Sequence, residues 1–252
     1  MHTPEFLAAR HAAMLAQRGF EGVDATDPTG PSGHAYGLRV SAMLTSDYRK
    51  RLRRGIVDVT PQEVIECFTE ADIKGWVLMG LHGYVGYLPM PRATQDVDVM
   101  VPYSQKERAA KAVSIRWPML AQQTLPQVVR FADPTDVDET GKPKPVIDIM
   151  LPWSPFQVTI LRDHVIHDPD TGSRYPTLEA AIVSKYAPLV SPHRSREKKE
   201  YDAGDLRRII RANYDAIDRT IIKLLGDQVW EHGGDELLSF LELALEDKPF
   251  PA

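Results

Sequence analysis

The sequence predicts an α+β fold: a mixed sheet flanked by helices, with a helical appendage in front and a C-terminal helical region behind. Three observations carry this. Short β-rich runs ("WVLMG", "DVDVMVP", "QVVRFAD", "KPVIDIML") fall between Trp76 and Leu151. A helix-start signal precedes them: in "TPQEVIECFTE" Thr60 stands as N-cap, Pro61 at the first helical position and Glu63 three residues after the cap. From Thr177 onward apolar residues recur almost entirely at helical spacing. The 252 residues accordingly divide into 1–59, 60–176 and 177–252.

The elements follow in order. Phe6, Leu7, Met14 and Leu15 give a helix over 4–18, followed by the Gly-, Pro- and Asp-rich loop "EGVDATDPTGPSGHAYG". Residues 38–54 read as a helix ending in "RKRLRR". After the helix at 61, strand "WVLMG" enters the turn "MGLHGY" and a short helical stretch, and strand "DVDVMVP" comes next. "SQKERAAKAVSIRW" is a helix with Ser104 as its cap. "QVVRFAD" and "KPVIDIML" are strands joined by the polar turn "PTDVDETGKP", and "HVIHDPDTGSRYP" is a hairpin around Asp170–Gly172. Helices then cover 177–188, 200–213, 214–224 and 234–246.

Composition narrows the function. An apolar fraction of 43% and a charged fraction of 26% are those of an ordinary globular protein. No apolar run reaches the roughly 20 residues a membrane-spanning helix needs, so no membrane role is expected. The opening "MHTPEFLAARHAAMLAQRG" carries Glu5 and reads as a helix rather than a signal. The single cysteine, Cys67, excludes an intramolecular disulfide and a cysteine-rich zinc site. A cytoplasmic protein is expected. A net charge of −5 argues against wholesale coating of nucleic acid, although two basic runs, "RKRLRR" and "HRSREKK", are present.

The chemistry concentrates in "PRATQDVDVMVP". Residues two apart on a strand share a face, so an extended chain lines up Arg92, Thr94, Asp96 and Asp98 while Val97, Val99 and Val101 face the core. Adjacent carboxylates repel unless a cation neutralises them, and a divalent metal does so. By itself D-x-D is more often a solvated strand face. Asp148 in "PVIDIMLP" adds a third acid on an apolar strand, which a two-metal phosphoryl-transfer site requires. In "MGLHGY", Gly80, Leu81 and His82 lie where a strand turns into a helix N-terminus, a cradle suited to phosphate oxygens. Lys185, among Ala180, Ala181, Ile182 and Val183, is expected to lay its stem on apolar surface and send its ammonium outward.

This order of strand, glycine turn, helix, "PRATQDVDV" and "VIDIM" resembles the nucleotidyltransferase superfamily, whose fold is shared with polymerase beta. It is most similar to the AbiEii-type group, which includes toxins of toxin–antitoxin pairs. The resemblance spans about 60 to 210. It implies nucleotide-binding roles for Gly80, Leu81, His82, Arg92, Thr94, Lys185 and Asp202, and metal-binding roles for Asp96, Asp98 and Asp148. Asp96, Asp98, Asp148 and Lys185 would be catalytic. The implied activity is Mg (or Mn)-dependent transfer of an NMP from an NTP to a hydroxyl of RNA or tRNA, a protein or a small molecule, with a cognate antitoxin as partner. "KKEYDAGDLRRII" supplies Asp202, Asp205 and Leu206 for the helix that carries K-D-x-x-D-L in that group. Leu81 replaces the second small residue of the glycine pair, and Tyr201 stands where the lysine of K-D would be. On these departures rests the alternative, a catalytically degenerate protein of the same fold that binds and acts through a partner.

Overall fold

The computed structural model describes residues 31–52, 57–169 and 171–251. The helix expected over 4–18, Arg53 and Arg54 of the basic run, and Asp170 lie outside the described residues. Within them the order is α1 (Pro31–Leu52), α2 (Pro61–Glu70), β1 (Val77–Leu78), α3 (Gly80–Tyr84), β2 (Val97–Met100), α4 (Lys106–Arg116), β3 (Ala121–Thr124), β4 (Val128–Val137) and β5 (Pro143–Met150). Then follow α5 (Pro155–Asp163), β6 (Val165–His167), β7 (Arg174–Pro176), α6 (Leu178–Val190), α7 (Arg196–Asn213), α8 (Arg219–Gly226) and α9 (Gly233–Leu245).

Five strands form one mixed sheet in the order β1-β2-β5-β4-β3, flanked by helices, and β6 and β7 form a separate hairpin. β2 and β5 run parallel, while the other neighbours are antiparallel. The period-2 pattern of the strands explains which side each residue takes. Val97, Val99, Val129, Phe131, Ile147 and Ile149 join Phe68, Trp76 and Val113 in a core on one face. Val77 and Met100 belong to the core on the other face, with Ile182, Tyr186, Ile209 and Phe240 of the C-terminal helices. Burying these side chains is the main stabilising contribution, about 1.5–3 kcal/mol for each large apolar residue.

Local signals explain most boundaries. Thr60 and Glu63 form the expected capping box: the Thr60 hydroxyl accepts from the Glu63 N–H at 3.2 Å, and Glu63 accepts from the Thr60 N–H at 2.8 Å. Three expectations are corrected. Ser104 caps nothing, because a 3-10 turn over Tyr103–Gln105 precedes α4 and Gln105 takes the cap position. α1 begins at Pro31, inside the expected loop. There Tyr36, Leu38 and Val40 are buried, and Gly37 lets the helix approach Val85, which a Cβ would meet at 3.0 Å. Packing thus outweighs the low helix propensity of glycine. Finally, the extended run expected from Arg92 breaks at a bend at Gln95, and β2 starts at Val97.

Candidate active site

The sheet register assembles an acidic row. Asp98 of β2 lies beside Asp148 of β5, and Arg130 of β4 lies beside Asp148 on its other side. Side chains in register share a face, and here it is the face opposite the Val97–Ile147–Phe131 core. Asp96, just before β2, completes a group in which ligand oxygens of Asp96, Asp98 and Asp148 all lie within 4.8 Å of one another. Asp148 is buried, while Asp96 and Asp98 are half-buried rather than freely solvated.

Electrostatics at this row is unfavourable in the metal-free protein. Burial pushes the Asp98 carboxyl well above its usual range, and the charges of Asp96 and Asp148 push it further. Asp96 is raised for the same reasons, burial first and Asp148 second. Among the described residues, neither Asp96 nor Asp98 has an ion-pair partner. Asp148 does: Arg130 donates from Nε to Oδ1 at 2.9 Å and from Nη2 to Oδ2 at 2.6 Å. Three convergent carboxylates with one paired cation are a donor set that fits a hard divalent ion.

Gly80 closes one side of the row. Its φ is +54°, and a Cβ there would stand 1.9 Å from Asp98 Oδ2, so both backbone and space require glycine. The Met79 N–H donates to the Asp98 carbonyl at 2.8 Å, which fixes this approach. Leu81 and His82, the next residues, are buried in the molecule. Leu81 packs in the core with Tyr84 and Met100. Burial holds the His82 imidazole at a pKa of about 3, with the charges of Arg49 and Arg92 lowering it further.

A second, cationic cluster lies beside the acids. Lys185 of α6 is turned inward, contrary to the solvent-facing ammonium expected from its helix. Its Nζ lies 3.0 Å from Asp202 Oδ1 and 3.1 Å from Asp205 Oδ2, and 4.7 Å from the centre of the Tyr84 ring. Burial opposes its charge, but Tyr84, Asp202 and Asp205 together raise its pKa. The Lys185 charge also acts on Asp98, partly opposing the rise in its pKa. Arg92 reaches Asp205 Oδ2 at 2.7 Å and Tyr84 Oη at 3.2 Å. Arg194 holds Asp202 with contacts of 2.9 and 2.8 Å, and Arg208 reaches Asp205 at 3.3 Å. Asp205 is pushed up by burial, yet Lys185 and the hydrogen bonds from Arg92 and Tyr84 hold it below its usual value. Lys185, Arg92, Arg194 and Arg208 thus surround two carboxylates, leaving the cluster cationic by two. Tyr201 is exposed and takes no part in these contacts.

Thr94 is tied elsewhere, its N–H donating to Thr45 Oγ1 of α1 at 3.1 Å. α1 makes two further bonds to the same segment: Ser41 Oγ donates to the Arg92 carbonyl at 2.8 Å, and Arg49 donates to the Gln95 carbonyl. Arg49 also pairs with Asp58 at 3.2 Å and is buried, so this member of the basic run faces the site and not solvent.

No protein-family model and no curated protein matches the chain. Among solved structures it is similar to an antigenic nucleotidyltransferase-like protein from Paracoccidioides brasiliensis. The identity is 14%, the TM-score 0.44, and the match covers 74% of this chain and 90% of that one. Among the described residues, no helix is long and apolar enough to cross a membrane.

Proposed function

We propose that the protein transfers a nucleotidyl group from an NTP to a hydroxyl acceptor, using Mg²⁺ or Mn²⁺ held by Asp96, Asp98 and Asp148. The observation that carries this is the pairing of an acidic row, its ligand oxygens within 4.8 Å of one another, with a neighbouring cluster that is cationic by two. One pole fits a divalent ion and the other fits polyphosphate, the two halves of a metal–NTP complex. A metal bound there would supply Lewis-acid stabilisation of the charge that develops on the transferred phosphoryl group.

The side chains do the rest by positioning and charge. Lys185, with Arg92, Arg194 and Arg208 at its rim, binds oxygens of the β- and γ-phosphates. The acceptor oxygen attacks the α-phosphorus, the bond to the β-bridging oxygen breaks, and pyrophosphate leaves. Asp148 takes the acceptor proton. Gly80 keeps backbone tight against Asp98 so that no side chain fills the space beside it.

The motif resemblance extends the proposal to a toxin-type enzyme in the cytoplasm that acts on RNA or another hydroxyl acceptor and is countered by an antitoxin. The test is incubation of the full chain with each α-labelled NTP, Mg²⁺ and cell lysate or total RNA. Label should pass to an acceptor with the wild type and not with Asp98→Asn. NTP binding without transfer, under every nucleotide and both metals, would replace this proposal with the degenerate binding protein.

A further inference from the structure

The side chain that contacts the acidic row most intimately is an arginine, and it occupies a carboxylate that the proposed metal needs. Both oxygens of Asp148 accept from Arg130, at 2.9 and 2.6 Å, so whichever oxygen ligates a metal already carries a guanidinium contact. A guanidinium and a divalent ion on one carboxylate repel each other. The other cations near the row are engaged elsewhere. Lys185 is held by Asp202 and Asp205, and Arg49 by Asp58 and the Gln95 carbonyl.

Arg130 also answers to the whole row. Its hydrogen bonds to Asp148, and then the charges of Asp148, Asp96 and Asp98, all hold the guanidinium in its charged form. Its side chain remains 35% exposed, against 9% for Asp148. The head can therefore leave for solvent without unpacking either core. The β4–β5 pair is also held by its backbone ladder.

We infer that Arg130 is a built-in counter-ion that a divalent cation displaces, pairing with Asp148 in the metal-free protein and moving to anionic substrate oxygens once metal is bound. A single positive charge leaves three carboxylates as a double charge arrives. Arg130 is a positioning residue in this scheme: it keeps the acids converged before loading, and its departure frees Asp148 to take the acceptor proton. The inference rests on the metal reading above, but its test separates the two.

Mn²⁺ binding to the full chain is measured by electron paramagnetic resonance without nucleotide, for wild type, Arg130→Gln, Arg130→Lys and Asp98→Asn. With the competitor gone, Arg130→Gln should bind Mn²⁺ at least about tenfold more tightly than wild type, a scale set by one charge-assisted contact. Arg130→Lys, which keeps the charge but loses the fork, should fall between. Without metal Arg130→Gln should melt below wild type, and Mn²⁺ should raise its Tm by the larger step. Transfer should nonetheless be slower. A simple brace predicts equal or weaker Mn²⁺ binding in Arg130→Gln, and that result, with binding lost in Asp98→Asn, overturns the inference alone. If Arg130→Gln folds only with metal, the Arg130→Lys comparison decides, and an affinity equal to wild type overturns it. Mn²⁺ binding absent from every variant removes the metal reading and this inference together.

Discussion

At the scale of single residues, the acids and the lysine make opposite demands on stability. Asp98 has a folded-state pKa raised well above its unfolded value, first by burial and then by Asp96 and Asp148. The folded protein therefore binds its proton more tightly than the unfolded chain, and stability falls as pH rises from near 4 through the folded pKa. Asp98→Asn should remove this strain and make the metal-free protein more stable than wild type at pH 7. Denaturant titrations should show the gain shrinking at pH 4, where the wild-type carboxyl is already protonated. Transfer should drop by about a thousandfold or more, since a lost metal site removes several kcal/mol of charge stabilisation. Lys185→Met should do the reverse to stability. It strips a buried cation from Asp202 and Asp205, and breaking such a pair costs about 3 kcal/mol. Adding Asp202→Asn should recover most of that stability while NTP affinity stays low, which isothermal titration would read directly. Recovery of NTP affinity in the double variant would show that Lys185 only supports Asp202. Asp96, Asp98 and Asp148 were legible because each interrupts a period-2 apolar pattern. Arg130, between Val129 and Phe131, carries the same signature, but an arginine on a half-buried strand does not by itself name its carboxylate partner. The Arg92–Asp205 pair was not legible at all: its partners lie 113 positions apart, and nothing local in either segment names the other.

Among the elements, α1 shows most clearly what local pattern misses. Ser41, Thr45 and Arg49 recur every fourth residue, one helical face, and they bond to the Arg92 carbonyl, the Thr94 N–H and the Gln95 carbonyl. The helix read from sequence as part of an appendage thus stitches down the bend that leads into Asp96. A polar seam gives no apolar periodicity, so the sequence shows the helix over 38–54 and its basic run but not the face that bonds to 92–95. The same holds for β3, whose "AQQT" is exposed at every position and pairs with β4 through backbone alone. α5 carries its own local signal, a capping box of Ser154 and Gln157 with Pro155 at the first helical position. Thr45→Val should leave the Thr94 N–H without its acceptor, a loss of about 1–3 kcal/mol for a half-buried donor. Hydrogen exchange at the Thr94 amide should quicken, and Mn²⁺ affinity should fall as Asp96 loosens. An unchanged exchange rate would mean that α1 does not hold the bend. Arg49→Gln should likewise weaken folding and leave the salt dependence of any RNA binding unchanged, because its charge is spent on Asp58.

Over the whole molecule, the sheet divides two cores, and the site lies on the face shared with the C-terminal helices. The mixed sheet with helices was legible because apolar runs, caps and turns agreed with one another along the chain. How α1 packs against the Gly80–Tyr87 turn and the segment leading into Asp96 was not, and that packing buries a pair of histidines. His34 of α1 stacks on Tyr175 at 3.6 Å, while His82 lies in α3. No ring nitrogen of either has a hydrogen-bond partner among the described residues. Burial holds both at a pKa of about 3; their mutual charge also lowers His34, Asp168 opposes that, and Arg49 and Arg92 lower His82. Their folded values lie below the unfolded 6.5, so the unfolded chain takes up protons first as pH falls. The stability they allow is complete above pH 6.5 and is lost progressively toward pH 3. Each group loses about 1.4 kcal/mol per pH unit inside that window. Asp96 and Asp98 act in the other direction, becoming less destabilising as they protonate, and offset part of the loss. The expected outcome is a fall of about 3 kcal/mol in unfolding free energy between pH 7 and pH 5. Urea midpoints at the two pH values measure it. His34→Phe keeps the stack on Tyr175 and removes one titrating group, so it should roughly halve the fall. A wild type equally stable at both pH values would mean that the two imidazoles meet water in solution and that α1 does not seal them.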